Sequence, residues 1–398
     1  MTRTAKLIFV SEDNHNKYYN MVSDGCTISV DFGRVGATCQ KTSYPDSKWE
    51  SLIKSKLKKG YKEITHLFVE PTTKDKVSFL DISDSYVSSL IRKLEGYTKR
   101  QVSNNYLVTA DSVTQKQIEE AQNILNAISA VKSNKDLNQL LLEVFSIIPR
   151  KMNQVSNFLY DTNGNFRESV VEEVVAKEQE LLDSMAQQVK QVELVSSNTS
   201  DKLTLLDAMG IEICNIDPNT EKLIKGKLHD LKDNYIRAYQ VVNKKTQSRF
   251  NAFVDKSPNK KTDTFFHGSR NENWLPILQT GLVLRPTNAV ISGKMFGYGT
   301  YYADKAKKSW GYTSARGSYW ARGDAPEAYM ALFDVHLGNP LKVARHEHWC
   351  SSLDIKKLKA KGDYDSVFAE AGSSLYNNEF VVYTEDQSTI KYLIQMRG

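Results

Sequence analysis

Residues 265–282 read FFHGSRNENWLPILQTGL and place His267, Gly268 and Ser269 at the end of a strand-like run. Glycine has no Cβ, so the main chain beside His267 can approach a ligand closely. Ser269 adds a hydroxyl group one residue further on. Three residues are a weak signal by themselves, because a histidine that only fills a core is the commoner outcome. The rest of the chain therefore has to indicate what His267 does.

The length and composition indicate a soluble protein of several domains. A chain of 398 residues is too long for one ordinary hydrophobic core. Its composition, 40% hydrophobic and 25% charged, is typical of globular proteins. No apolar run approaches the roughly 18 residues that a membrane span needs. The start, MTRTAKLIFVSEDNHNKYY, turns polar after one short apolar run, so we expect neither a secretory signal nor a membrane partner.

Cysteine and histidine usage argues against a disulfide framework and against a metal site. The four cysteines stand far apart without a CxxC pair, and they are Cys26, Cys39, Cys214 and Cys350. This spacing favours reduced thiols in an intracellular compartment. The run RHEHWC at 345–350 has two histidines and a cysteine but not the HExxH spacing of a zinc site. We therefore predict no metal.

The basic charge is concentrated in one segment. Residues 34–62 contain eight Lys or Arg residues against two acids, a net +6 that equals the formal net charge of the whole chain. A localised basic face favours a polyanionic partner. A solvated lysine-rich helix face is an equally good reading of charge alone.

Residues 1–75 are predicted to form a small mixed α/β module. Strand-like runs KLIFV, KYYNMV and CTISVDF come first, and the last alternates apolar positions from Cys26 to Phe32. A helix follows Pro45, with Ser47 and Glu50 as a capping box, and ends at Gly60.

Residues 76–202 change to helical periodicity and predict an all-α bundle. The segment VTQKQIEEAQNILNAISAV repeats apolar residues at heptad-like spacing. A second helix stops at Pro149, and a third runs through SVVEEVVAKEQELLDSMAQQVKQV. The apolar stripes are typical of a bundle core.

Residues 203–398 return to strands and predict a third, mostly antiparallel β domain. A helix starts with Asp217 as N-cap and Pro218 at the first helical position. No GxGxxG and no GxxxxGK[ST] motif is present, so a nucleotide would not be held by a Rossmann or P-loop site. The predicted fold class is therefore α+β multidomain.

Three ordered motifs in this last segment carry a family resemblance. They are HGSR at 267–270, the run GKMFGYGTYYADKAKKSWGY at 293–312, and NNEFVVY at 377–383. In this order they resemble the poly(ADP-ribose) polymerases, whose site is a His-Tyr-Glu triad. Upstream, TQKQIEEAQNILNAI and FSIIPRKM resemble the family's helical regulatory domain, and residues 27–62 resemble its WGR module. The resemblance covers nearly the whole chain and implies a short, DNA-dependent type without zinc fingers or a BRCT domain.

The resemblance implies that NAD⁺ is a consumed substrate and that no cofactor is used. The implied catalytic residues are Glu379, His267 and Tyr301, with Glu379 stabilising the cationic sugar. His267 would bind the adenine-side ribose. The remaining implied NAD⁺-binding residues are Gly268, Ser269, Asn273, Ser309 and Tyr312, in addition to His267 and Tyr301. The family often has an arginine where this chain has Val283, and Arg285, two positions on, is the candidate replacement. Lys308 is either a solvated lysine or an acceptor-side residue.

The implied DNA-binding residues are Phe32, Arg34 and Lys41. Phe32 stands where the family has tryptophan, which keeps an aromatic face but loses the indole N–H. Arg34 keeps the guanidinium fork that binds phosphate. The competing interpretation is that Phe32 is only the buried end of its strand.

The predicted function is transfer of ADP-ribose from NAD⁺ to protein acceptors, including the protein itself, stimulated by DNA ends or nicks. The helical region would restrain the NAD⁺ cleft until DNA binds. A glutamate at 379 goes with chain elongation to poly(ADP-ribose) in this family. The alternatives are a mono-ADP-ribosyltransferase and a catalytically weak DNA-end-binding scaffold. The expected location is intracellular: nuclear in a eukaryote, cytoplasmic or at the nucleoid for a bacterial or viral protein.

Overall fold

A computed structural model of the chain describes residues 2–35, 37–67, 79–197, 203–284, 295–318 and 321–398. These residues form two compact units. The first contains the described residues before 77 and residues 99–196, and the second contains the described residues of 77–98 and those from 197 onward. None of the helices in the described ranges is long and apolar enough to cross a membrane.

The first unit begins with a five-stranded antiparallel sheet and one helix. These elements are β1 (Arg3–Ser11), β2 (His15–Ser23), β3 (Thr27–Arg34), β4 (Gln40–Pro45), α1 (Trp49–Lys58) and β5 (Lys62–Glu63). The strand order is β4-β3-β2-β1-β5. The predicted alternation is confirmed at Ile28 and Val30, which are buried against α1, but it is wrong at Cys26, which lies before the strand and is exposed. β4 is a further strand that the pattern does not predict.

Helix α1 begins differently from the prediction. A 3-10 turn over Asp46–Lys48 precedes it, and no side chain caps the helix. The predicted capping box of Ser47 and Glu50 is therefore wrong. The Asp46 carboxylate instead accepts a hydrogen bond from the Ser23 hydroxyl, which attaches the turn to the sheet.

The helical region contains four helices, and its predicted apolar stripes form a core. The helices are α2 (Ser85–Asn105), α3 (Gln115–Ile128), α4 (Asn134–Ile147) and α5 (Glu168–Ser197). Ile118, Ala121, Leu125 and Ile128 of α3 are all buried, as their spacing predicts. Helix α4 ends at Ile147, because Pro149 cannot continue it.

Helix α2 is divided between the two units. Its first part, to Thr98, belongs to the second unit, where Val87, Leu90, Ile91 and Leu94 are buried in the core. The remaining helices belong to the first unit together with the N-terminal sheet. The division into two compact units does not test the predicted domains 1–75, 76–202 and 203–398, which stay a prediction.

The rest of the second unit is built on two main sheets. Its helices are α6 (Leu205–Met209), α7 (Pro218–Leu228), α8 (Lys244–Lys256), α9 (Trp274–Thr280), α10 (Ala306–Trp310) and α11 (Ile355–Gly362). Its strands are β6 (Ile211–Asn215), β7 (Tyr235–Asn243), β8 (Asp263–Gly268), β9 (Thr300–Tyr302), β10 (Gly317–Ser318), β11 (Ala321–Arg322), β12 (Glu327–Val335), β13 (Pro340–Val343), β14 (Ser366–Ala369), β15 (Glu379–Val382) and β16 (Ser388–Arg397). Asp217 caps α7 with Pro218 in the first turn, as predicted.

The strand orders bring the three family motifs to neighbouring strands. One sheet has the order β6-β7-β16-β12-β8 and is antiparallel throughout. The other has the order β13-β14-β15-β9, with one parallel pair, β13 and β14. The two sheets meet where Phe266 of β8 bridges Ala303, which follows β9. The predicted α+β class with antiparallel sheets is confirmed.

Candidate active site

His267 lies near the end of β8 in a setting that defines its protonation. Its Nδ1 atom is 3.0 Å from the carbonyl oxygen of Tyr301. A carbonyl oxygen only accepts hydrogen bonds, so Nδ1 carries the proton and Nε2 is left with a lone pair. Burial lowers the pKa of His267 from its usual 6.5, and the hydrogen bond to Tyr301 opposes this shift only in part. The imidazole is therefore neutral at pH 7 and offers Nε2 as an acceptor.

Gly268 lies directly against the main chain of Ser309. A Cβ atom at position 268 would overlap the Ser309 carbonyl group, so no residue other than glycine fits without displacing α10. Ser309 itself is buried, at 3% exposure. The structure thus places two predicted site residues, 268 and 309, in contact through their main chains.

Ser269 and Asn273 form a short polar pair after β8. The Asn273 amide donates a hydrogen bond of 3.1 Å to the Ser269 hydroxyl oxygen. The Asn273 Oδ1 atom is buried and accepts no hydrogen bond from the described residues. A buried acceptor without a partner costs free energy unless a ligand or water satisfies it. The pair therefore has hydrogen-bonding capacity left for a ligand.

Tyr301 uses its hydroxyl group to hold the preceding loop. The hydroxyl accepts from the Phe296 main-chain N–H at 3.0 Å and donates to the Gly297 carbonyl oxygen at 2.9 Å. Burial raises the pKa of the phenol, and the Glu379 carboxylate adds to the rise. The phenol is therefore protonated, and its contribution to a site is the ring.

Glu379 begins β15 and projects beside Tyr301. Val381 pairs with Tyr301 across the sheet, and Glu379, two residues earlier, points to the same face as Val381. Glu379 is 7% exposed. Its Oε1 atom accepts a hydrogen bond from the Lys308 ammonium group. Its Oε2 atom is buried and has no hydrogen-bond partner among the described residues.

Lys308 contacts the predicted site residue Glu379, and the sequence pattern does not predict this contact. Its side chain is 15% exposed and forms an ion pair with Glu379, so the solvated alternative is wrong. The one signal in the sequence is that it directly precedes Ser309. Tyr312, four residues on, is 53% exposed, and burial together with the Glu379 charge raises the pKa of its phenol. Glu379 is therefore in direct contact with Lys308, and its charge also acts on the Tyr312 phenol.

The structure also locates the predicted DNA-binding residues, all on the N-terminal sheet. Phe32 is half-buried on the face that packs against α1, with its ring 5.8 Å from that of Tyr19. Arg34 donates to the Asn14 carbonyl at 2.7 Å, to the Asn14 side-chain oxygen at 2.8 Å, and to the Asn153 carbonyl. Lys41 is exposed on β4. Only Lys41 has a side chain with no hydrogen bond or ring contact identified among the described residues.

The structure bears on two further predictions, which concern Arg285 and a metal site. Arg285 lies outside the described residues, while Val283 is 48% exposed. Within the described ranges, no three His, Cys, Asp or Glu side chains are grouped as a metal site requires. A cavity of about 630 Å³ in the second unit is lined by residues such as Phe253, Ile355 and Lys359 and by none of the predicted site residues.

Comparison with known proteins identifies relatives of this chain. A family model for the poly(ADP-ribose) polymerase catalytic domain matches residues 219–398. The poly(ADP-ribose) polymerase-like protein 100L of Invertebrate iridescent virus 6 is 35% identical over 166 residues, 40% of this chain and 84% of that protein. The uncharacterized protein 101L of the same virus is 32% identical over 189 residues, 46% of this chain and 77% of that protein. Poly [ADP-ribose] polymerase 2-B of Oryza sativa subsp. japonica is 25% identical over 313 residues, 69% of this chain but only 49% of the plant protein.

Proposed function

The chain belongs to the poly(ADP-ribose) polymerase family and is an NAD⁺ ADP-ribosyltransferase, and from this membership we propose that DNA ends or nicks stimulate it to modify protein acceptors, including itself. We further propose that it elongates the first unit to poly(ADP-ribose). The observation that supports ADP-ribose transfer is the buried Glu379 carboxylate beside Tyr301. Lys308 binds one of its oxygens, and the other has no hydrogen-bond partner among the described residues. NAD⁺ is a substrate of this reaction and is consumed.

The reaction demands negative charge close to the reacting sugar. The bond between the nicotinamide nitrogen and C1′ of its ribose breaks, and the electron pair leaves with nicotinamide. An acceptor oxygen forms the new bond to C1′ and loses its proton. Between these events the sugar carries positive charge, so a fixed negative group close to C1′ lowers the barrier.

Glu379 meets that demand by its charge and by its free oxygen. Lys308 occupies Oε1, which leaves Oε2 to accept a hydrogen bond from a ribose hydroxyl. A carboxylate held by one partner needs little reorganisation when charge develops on the sugar. We assign Glu379 as the catalytic residue and Lys308 as the group that orients it.

The other site residues fit the two ends of NAD⁺. The main chain of Gly268 and the Ser269 hydroxyl would bind the nicotinamide amide, and the rings of Tyr301 and Tyr312 would line the nicotinamide pocket. Ser309 contributes the close packing behind Gly268. The neutral imidazole of His267 would accept a hydrogen bond at Nε2 from the adenine-side ribose. Asn273 has one buried oxygen left for the ligand.

DNA stimulation is supported by the surface of the N-terminal module. Six lysines of the basic segment are exposed: Lys41, Lys48, Lys54, Lys58, Lys59 and Lys62. Binding of phosphates by such a surface releases counterions and weakens as salt is added. We propose that this surface binds the DNA backbone and that Arg34 contributes the guanidinium donors not used by Asn14 and Asn153.

One experiment separates the proposed reaction from the scaffold alternative. Wild-type protein is incubated with labelled NAD⁺, with and without a nicked duplex, and the products are separated by size. Removal of one charge-stabilising group costs roughly 10²–10³ in rate, so Glu379→Gln is expected to lose most turnover while it still binds nicotinamide. Glu370→Gln, a surface carboxylate paired with Lys342, is the matched control.

The products distinguish the remaining alternatives. A ladder of products supports elongation, and a single addition supports a mono-ADP-ribosyltransferase. Equal turnover with and without the nicked duplex contradicts DNA stimulation. Wild-type protein that binds the duplex but releases no nicotinamide supports the scaffold.

A further inference from the structure

Asn378, the residue before Glu379, has a side chain engaged at both ends. Its Nδ2 atom donates a hydrogen bond of 2.8 Å to Oδ2 of Asp304. Its Oδ1 atom accepts a hydrogen bond of 2.9 Å from the main-chain N–H of Ala371. One amide therefore closes the loop 371–378 and also connects that loop to a distant segment of the chain.

The segment that Asn378 reaches is the one that carries Lys308. Asp304 comes two residues after β9 ends at Tyr302 and two residues before α10 begins at Ala306. The pairing of β15 with β9 ends at Phe380 and Tyr302. Beyond that pair, the Asn378–Asp304 hydrogen bond connects the segment before β15 with the segment after β9.

Helix α10 follows Ala303, which two main-chain hydrogen bonds attach to Phe266 of β8, and its first residue, Ala306, is buried. It is five residues long, and no side chain caps its N-terminus at Lys305. Lys308 lies in the single turn that follows, so a shift of residue 304 moves the ammonium group relative to Glu379. The carboxylate would follow, because Lys308 is the one group among the described residues that holds either of its oxygens by a hydrogen bond.

We infer that Asn378 and Asp304 are positioning residues that set the geometry of the Glu379–Lys308 pair. Their role is to position the pair and not to contact the substrate or the reacting atoms. The inference rests on the proposed role of Glu379, and it adds a function for two residues of the NNEF and YYAD motifs that the triad leaves without one.

A charge swap tests the inference. Asn378→Asp keeps an oxygen for the Ala371 N–H but turns the contact with Asp304 into repulsion between two carboxylates. A displacement of about 1 Å at a catalytic group can cost ~10²-fold in rate, so kcat is expected to fall by about that factor while KM for NAD⁺ stays close to wild type. The double variant Asp304→Asn with Asn378→Asp restores a donor and an acceptor in reversed order, and kcat is expected to recover.

A matched control separates position from charge. Asn377→Asp adds the same charge one residue away, at a side chain with no hydrogen bond identified in the structure. It is expected to keep kcat close to wild type. Thermal unfolding of each variant shows whether the protein is folded.

The outcomes distinguish the inference from the proposed function. A folded Asn378→Asp variant with wild-type kcat overturns the inference, as does a folded double variant no faster than Asn378→Asp alone. An Asn377→Asp variant as slow as Asn378→Asp also overturns it, because charge alone then explains the loss. If Glu379→Gln keeps full turnover, the assignment of Glu379 fails instead.

Discussion

The ammonium group of Lys308 is hydrogen-bonded to one oxygen of the Glu379 carboxylate, although 71 residues separate them in sequence. Both side chains are largely buried, so the pair is poorly screened by solvent. Removal of one partner from such a pair leaves the other charge uncompensated. The orientation of Glu379 therefore depends on a residue outside the predicted triad.

Lys308→Met is expected to lower kcat by roughly 10- to 100-fold with a smaller change in KM for NAD⁺, because the carboxylate loses its orienting partner. Steady-state release of nicotinamide measures both constants. Lys307→Met is the control, since Lys307 is the exposed neighbour on the same helix. Equal kcat values for the two variants would contradict an orienting role for Lys308.

Gly268→Ala is expected to weaken nicotinamide binding and to destabilise the protein by about 1–3 kcal/mol, because the added methyl group overlaps the Ser309 carbonyl. Calorimetric titration with nicotinamide and urea denaturation measure the two effects. Gly226→Ala in α7 is the control, because a Cβ there meets no other atom within 4 Å. That variant should be neutral or slightly more stable, since alanine favours a helix. Unimpaired binding in Gly268→Ala would show that the contact with α10 is not needed.

His267 is expected to make the folded protein less stable as the pH becomes acidic. Its folded-state pKa is lowered below the usual 6.5, so the unfolded chain takes up a proton more readily than the folded protein. The stabilisation is fully present above about pH 6.5 and is lost as the pH falls through the folded-state pKa. Urea denaturation of wild type and His267→Asn at pH 8 and pH 5 measures it, and the wild type should lose more stability on acidification. A larger loss in the variant would contradict the assigned shift.

Arg150 is expected to contribute strongly to the stability of the helical region. Its guanidinium group is 1% exposed and lies 2.8 Å from Glu178 of α5. Arg150→Ala leaves the buried Glu178 charge unpaired and should cost about 3–5 kcal/mol of unfolding free energy. If the helical region restrains the enzyme, NAD⁺ turnover without DNA should rise.

The control for that experiment is Lys132→Ala. It removes a surface ion pair with Glu168, which lies on α5 like Glu178. Surface pairs contribute about 0–1 kcal/mol, so its basal turnover should match wild type. A destabilised Arg150→Ala variant with unchanged basal turnover would indicate that the helical region is only a spacer.

Local patterns predicted the elements whose residues contact near neighbours in sequence. The buried stripe of α3 from Ile118 to Ile128 follows directly from helical periodicity. The end of α4 before Pro149 and the cap of α7 at Asp217 follow from single-residue chemistry. The predicted capping box at Ser47 is wrong, because the turn that starts at Asp46 is hydrogen-bonded to Ser23 of β2, and no local pattern contains that contact.

The candidate site divides in the same way. The order of residues along the chain is enough to establish that a histidine, a tyrosine and a glutamate occur in three ordered motifs. It is also enough to establish that the main chain at Gly268 can approach a ligand closely. The motifs and the glycine are recognised from residue type and order alone. The folded chain is needed to establish that Lys308 is hydrogen-bonded to Glu379, that Asn378 is hydrogen-bonded to Asp304, and that Ser309 lies against Gly268. These contacts depend on strand register and on the meeting of two sheets, which join residues too far apart in the chain for any local pattern to relate them.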